Sequence, residues 1–148
     1  MKKYEIKIEV VDRNLTPSER ENVDIEQLKI LYRESNWWSE DNDSSDPDLI
    51  NKIISGSFCF VIATFNERII GMGRAISDGI SDAYIQDVAV LPEFRGNGIG
   101  VLIMDELIRF LQEKKVNWIT LISEPKAVSF YERYGFSLMK DYVPFTLK

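Results

Sequence analysis

The stretch Val88-Ala89-Val90-Leu91-Pro92-Glu93-Phe94-Arg95-Gly96-Asn97-Gly98-Ile99-Gly100 decides how this chain is read. Residues 83–90 form an apolar, β-branched run that reads as a strand, and Leu91-Pro92 stops it. From about 98 to 114, Ile99, Leu102, Ile103, Leu107, Phe110 and Leu111 recur at helical spacing on one face. Lys114 and Lys115 close the last turn, where cations suit the helix dipole. A strand therefore runs through a glycine-rich turn into a helix N-terminus. Glycines let backbone N–H groups approach an anion, the helix end adds partial positive charge, and Arg95 adds a fixed cation. Together they describe a phosphate cradle.

Spacing limits which cradle this is. A P-loop requires Gly-Lys-Ser/Thr, and here Gly98 is followed by Ile99-Gly100-Val101. The dinucleotide fingerprint requires Gly-x-Gly-x-x-Gly, whereas these glycines stand at 96, 98 and 100, with Glu124 the only nearby acid for the ribose.

Working outward, residues 4–11 alternate as a half-buried strand. Val23, Leu28, Leu31 and Tyr32 suit a helix ending near Arg33, and residues 34–48 are a loop by composition. Pro47 suits the start of a short helix through Ile54. The runs 58–65 and 69–76, separated by Asn66-Glu67-Arg68, predict a β-hairpin, and Asp78-Gly79 turns the chain into 83–90. Residues 117–123 predict a strand, and Pro125 opens a helix closed by Gly135. Phe136 to about Leu147 predicts a last strand, with Pro144 placing it at an edge or a break. The predicted order is β-α-α-β-β-β-α-β-α-β, a mixed α/β layer structure in one domain over 1–148.

Composition excludes whole chemistries. With no histidine there is no Ser-His or Cys-His nucleophile pair and no imidazole base. A single cysteine, Cys59, rules out an intramolecular disulfide, and it sits in the apolar run 58–61 as a core thiol. No metal site is predicted. Eighteen Lys and Arg against 24 Asp and Glu leave a net charge of −6, which disfavours nucleic acid and favours cationic partners. Residues 34–48 hold six acids (Glu34, Glu40, Asp41, Asp43, Asp46, Asp48) and no base, so the rest of the chain is balanced. With no membrane-length apolar run or signal-peptide core, the expectation is a cytoplasmic protein.

The pattern Val-x-Val-x-Pro followed by Arg-x-x-Gly-x-Gly, strong over 84–100, closely resembles the GNAT superfamily of N-acetyltransferases. Ala127-Val128-Ser129-Phe130-Tyr131-Glu132-Arg133-Tyr134-Gly135-Phe136 resembles that family's closing motif. The resemblance covers roughly residues 58–140. It implies a central mixed sheet flanked by helices, with strands 4 and 5 splayed, and acetyl-CoA as cosubstrate without a metal. By this resemblance Arg95, Gly96, Asn97, Gly98, Ile99 and Gly100 hold the pyrophosphate, mostly through backbone N–H. Backbone groups of Val88 and Val90 pair with the pantetheine arm as an added strand. Tyr131 is the general acid for the leaving thiolate, since a phenol of pKa ~10 can protonate it.

The resemblance has two departures. Glu124 stands where the family often has Asn. The position for a base on the fourth strand falls, counting back by twos from Val88, on Gln86 and Tyr84, neither of which is one. Asp87 points to the other face unless a bulge intervenes. A water chain oriented by Tyr84 and Gln86, draining to solvent or Asp82, is the resulting expectation. On the acceptor side the implied wall is 32–48, with Trp37 and Trp38 lining a pocket or plugging the domain. The expected partners are acetyl-CoA and a cationic primary amine of a small molecule or peptide, attacking directly in a ternary complex, and the family leaves room for a homodimer. The alternative is a non-catalytic acyl-CoA-binding module of the same fold.

Overall fold

The computed structural model describes residues 4–39 and 46–148. Its sheet has five strands in sequence order: β1 (Lys7–Val10), β2 (Cys59–Phe65), β3 (Arg68–Ser77), β4 (Asp82–Val90) and β5 (Trp118–Leu121). Neighbours are antiparallel except β4 and β5, which run parallel. Four helices lie among the described residues: α1 (Ile25–Glu34), α2 (Leu49–Gly56), α3 (Ile99–Glu113) and α4 (Val128–Tyr134).

Local chemistry accounts for the punctuation. Asn66 and Glu67 both take positive φ, the primed geometry that matches the twist of a two-residue hairpin loop, so Arg68 joins β3. Asp78 Oδ1 accepts from the amides of Ile80 (2.8 Å) and Ser81 (3.0 Å), turning the chain into β4. Asp24 caps α1 by accepting from Glu26 N and Gln27 N. The core lies on both sheet faces. Leu28, Leu31 and Tyr32 of α1 and Ile50 and Ile54 of α2 are buried on one side, Ile99, Ile103, Met104, Leu107 and Leu111 of α3 on the other. Leu102, expected in the α3 stripe, is exposed, and Met104 takes its share of the core.

Two features position the site. β5 pairs with β4 only from Asp82↔Trp118 to Ile85↔Leu121, so β4 continues from Gln86 to Val90 without a strand neighbour on that side among the described residues. This is the expected splay. The second feature corrects an expectation: residues 136–147 form no strand. The chain turns at Asp141, whose φ is +65°, and Pro144 lacks the N–H a ladder needs. Tyr142, Val143, Phe145 and Leu147 are all exposed.

Candidate active site

The cradle forms as its glycines require. β4 ends at Val90, Pro92–Phe94 make a single 3-10 turn, and Gly98 precedes the first residue of α3. Gly96 (φ +77°) and Gly98 (φ +78°) adopt left-handed backbone that a side chain would strain. A Cβ on either would meet nothing within 4 Å, so the space beside them is open, as an approaching anion requires. Asn97 Nδ2 donates to the carbonyls of Phe94 (3.0 Å) and Arg95 (3.1 Å), and Arg95 Nε donates to Val90 O (2.9 Å), which braces the loop. No described side chain caps α3, so its first-turn amides have no side-chain partner among the described residues. Gly100 does something else: a Cβ there would stand 3.3 Å from Phe130 Cζ, so this glycine lets α3 approach α4.

A β-bulge sets the faces of β4. Met72 pairs with Ala89 and Arg74 with Gln86, so β4 carries one residue more than β3 between these pairs. Asp87, at φ +55°, absorbs it. Val88 lies on the α3 face, its Cγ2 3.4 Å from where a Cβ on Gly73 would stand beside Ile103 and Leu107. Gln86 and Tyr84 lie across from Arg74 and Ile76, on the opposite face. The count by twos from Val88 therefore fails at the bulge. Gln86 Oε1 accepts from Arg74 Nη2 (2.8 Å), and Asp87 Oδ2 accepts from Arg74 Nε (2.6 Å) and from the buried Tyr32 hydroxyl (2.8 Å). These bonds tie α1 to the bulge and commit Gln86 Oε1 to Arg74. Burial and the Asp87 charge push the Tyr32 phenol well up, so it stays protonated.

The splayed strands open a cleft of about 960 Å³. Val88, Val90, Arg95, Gly96, Gly98, Ile99 and Gly100 line it, together with Trp37, Glu124 and Tyr131. Asn97 sits in the same loop, its amide turned to brace the backbone. Tyr131 is held between the rings of Phe130 (5.0 Å) and Phe136 (6.0 Å), and its hydroxyl makes no hydrogen bond among the described residues. Burial first and the Glu124 charge second raise its pKa, which keeps the phenol a proton donor. Tyr134 differs, because its hydroxyl donates to Asp105 Oδ1 (2.9 Å). Glu124 caps no helix. Its carboxylate accepts from Trp37 Nε1 (2.9 Å) and pairs with Lys126 Nζ (3.1 Å), and these contacts hold it below the ordinary carboxylate range.

The four expected acceptor residues do not share one pocket. Trp37 borders the cleft, and Trp38 stacks on Tyr32 at 4.3 Å. Gln86 belongs to the Arg74 cluster, and Tyr84 lines a separate cleft of about 720 Å³. Of the acids of 34–48, Glu40, Asp41 and Asp43 lie outside the described residues, and Asp46 pairs with Lys52 (2.6 Å). Cys59 is buried, and burial pushes its thiol up to about 12, as suits a core residue. Sequence reasoning missed Lys126 and Arg133, which add positive charge to the main cleft. Both flank or fall within the closing motif, where a search for bases near Tyr131 finds them.

The five-stranded mixed sheet and the cleft beside β4 are the architecture of a GNAT-type domain. The family described as "Acetyltransferase (GNAT) domain" matches residues 33–144, and the chain belongs to it. An N-acetyltransferase of uncharacterised function from Porphyra purpurea is 42% identical over 69 residues, 47% of this chain and 40% of the relative. Serotonin N-acetyltransferase 2 of Oryza sativa is 38% identical over 74 residues, half of this chain and 37% of the relative. The chain thus matches about two fifths of the length of these relatives. Among solved structures, a GNAT-family acetyltransferase from Streptococcus pneumoniae superposes with a TM-score of 0.75 at 24% identity, covering 97% of both chains. One from Xanthomonas campestris gives 0.65 at 27% identity, covering 93% of this chain and 94% of the other.

Proposed function

We propose that this protein transfers the acetyl group of acetyl-CoA to a primary amine by direct attack in a ternary complex. The observation that carries this reading is the cleft itself. One space is bordered by a glycine turn that opens a helix, by the stretch of β4 beyond its last β5 pair and by a protonated tyrosine hydroxyl without a partner among the described residues.

The residues fit the donor. The open space beside Gly96 and Gly98, the free amides at the start of α3 and the nearby Arg95 suit a pyrophosphate. Val88 and Val90, beyond the last β4–β5 pair, suit an extended amide-bearing arm entering as a strand. Tyr131 then serves the thioester end. The amine lone pair attacks the carbonyl carbon and a C–N bond forms. The C–S bond breaks, the thiolate takes the Tyr131 proton, and the ammonium proton leaves to solvent, from which Tyr131 is recharged.

The test is thiol release from acetyl-CoA on adding a panel of primary amines to purified protein. Amine-dependent release, lowered roughly tenfold or more by Tyr131→Phe with acetyl-CoA affinity unchanged, is the expected result. Tight acetyl-CoA binding with no release for any amine would instead make the chain a non-catalytic acyl-CoA-binding module.

A further inference from the structure

Tyr131 borders two clefts. One is the donor cleft, and the other is the 720 Å³ cleft between β5, α4 and the segment after Gly135. A ternary complex is served by two spaces that share the residue of its proton donor, so that the amine and the thioester can arrive from different sides. The second cleft also differs from the first in chemistry. Its walls are Tyr84 and Trp118 on the strands, Phe136, and Leu138, Met139 and Tyr142 on the C-terminal segment. Glu132 is the one charged residue among those that line it. Trp118 is 56% exposed and Tyr142 69%, so these rings present apolar surface to any ligand that enters.

We infer that the second cleft is the acceptor site and that it takes an amine with one ammonium group on an apolar, aromatic-sized body. The inference rests on the transferase reading above. Flat aromatic surface from Tyr84, Trp118 and Tyr142 matches such a body, and a single carboxylate matches a single ammonium. A diamine or polyamine brings a second cation, and the residues lining this cleft offer it no second carboxylate, only neutral polar groups and apolar side chains such as Leu138, Met139 and Phe136. The wall expected from Trp37 and Trp38 is replaced, because Trp37 faces the donor cleft and Trp38 is stacked on Tyr32. The C-terminal segment, from Leu138 to Pro144, becomes the part of the chain that sets acceptor choice.

The experiment compares 2-phenylethylamine with 1,4-diaminobutane, in the wild type and in Tyr142→Ser and Leu138→Asp. Both substitutions fall on exposed positions outside the sheet, and circular dichroism with thermal melting checks that each variant folds. For the wild type, kcat/KM should favour 2-phenylethylamine by about tenfold or more. Tyr142→Ser should raise the KM for that amine about fivefold and leave the KM for acetyl-CoA unchanged. Leu138→Asp, which adds a carboxylate to the wall, should shift preference toward the diamine. Calorimetric titration of 2-phenylethylamine without acetyl-CoA should show the same loss of binding in Tyr142→Ser. A wild type that prefers the diamine overturns the inference and leaves the transferase reading standing. So do variants that change only the acetyl-CoA KM, or only the sedimenting mass, the last marking the surface as a contact between two copies. No thiol release with any amine overturns both.

Discussion

The two clefts that meet at Tyr131 are built in opposite ways. The cleft proposed for the donor is made of backbone and fixed charge: two left-handed glycines, the start of α3 with no described side-chain cap, the stretch of β4 beyond its last β5 pair, and Arg95. The second cleft is made of side chains that come from β4, β5, α4 and a C-terminal segment without regular structure. A ligand that presents the same pyrophosphate and amides every time can be met by main-chain groups, which need only a particular backbone path. A ligand whose body varies must be met by side chains, which can change without moving the backbone.

The largest expected effect breaks the backbone side of this comparison. Gly98→Val forces a β-branched residue into φ +78° at the mouth of α3. It should weaken acetyl-CoA binding by roughly fiftyfold, since such strain costs about 1–3 kcal/mol and also closes the cradle. Titration calorimetry with CoA measures it, and an affinity within twofold of wild type would show that the amides at 96–100 do not carry the donor.

Next comes the residue the clefts share. The thiol-release rate of Tyr131→Phe should fall as described above, and the pH dependence sharpens the point. Because burial and Glu124 raise the Tyr131 pKa, the phenol stays a proton donor through the ordinary tyrosine range. With no histidine in the chain, kcat should show no enzyme ionisation between about pH 6 and 9. A clear inflection in that window would point to a dedicated base.

A smaller effect concerns the bulge between the two faces of β4. Asp87→Asn leaves Arg74 without its ion pair and weakens the bond from the Tyr32 hydroxyl. Thermal unfolding should show a loss of about 1–2 kcal/mol. Acetyl-CoA affinity should hold, since neither Asp87 nor its partners line the donor cleft. A fall in affinity at unchanged stability would mean that the bulge also sets the spacing of Val88 and Val90.

The smallest effect is expected at the Trp37–Glu124 contact, which bridges the loop after α1 and the turn after β5. Trp37→Phe should change acetyl-CoA KM by no more than about twofold, because the bond is solvent-exposed. Glu124 has a lowered pKa, so its charge is fully present above the ordinary carboxylate range and is lost only as pH falls through the lowered value. The Trp37 part of the fluorescence, taken as wild type minus Trp37→Phe, should be flat from pH 8 to about 4.5 and change only below. A change near pH 6 would contradict this contact.

Legibility in the sequence followed this division. Where turn and helix-end rules act on adjacent residues, the structure agrees with them: the hairpin at Asn66-Glu67, the strand–turn–helix of 83–114, and the helix closed by Gly135. Gly96 and Gly98 were legible because only a residue without Cβ is comfortable at positive φ, so the site leaves its mark in composition. The period-two count along β4 failed because one extra residue at Asp87 reverses every side chain beyond it, and no residue type announces a bulge. The last strand failed for a related reason. Alternation in 136–147 shows which face would be apolar, but pairing depends on a partner edge and on donors that Pro144 does not supply.

The sequence by itself determined the element order through α4, the glycine cradle and the family to which the chain belongs, because each is encoded within a short window. Only the tertiary structure decided that Asp87 turns toward Arg74 and Tyr32 and that Trp37 reaches Glu124. Only it placed Tyr131 between two clefts. Each of these joins residues far apart in the chain. Such contacts are set by how strands part and helices pack, and a one-dimensional pattern does not carry that distance.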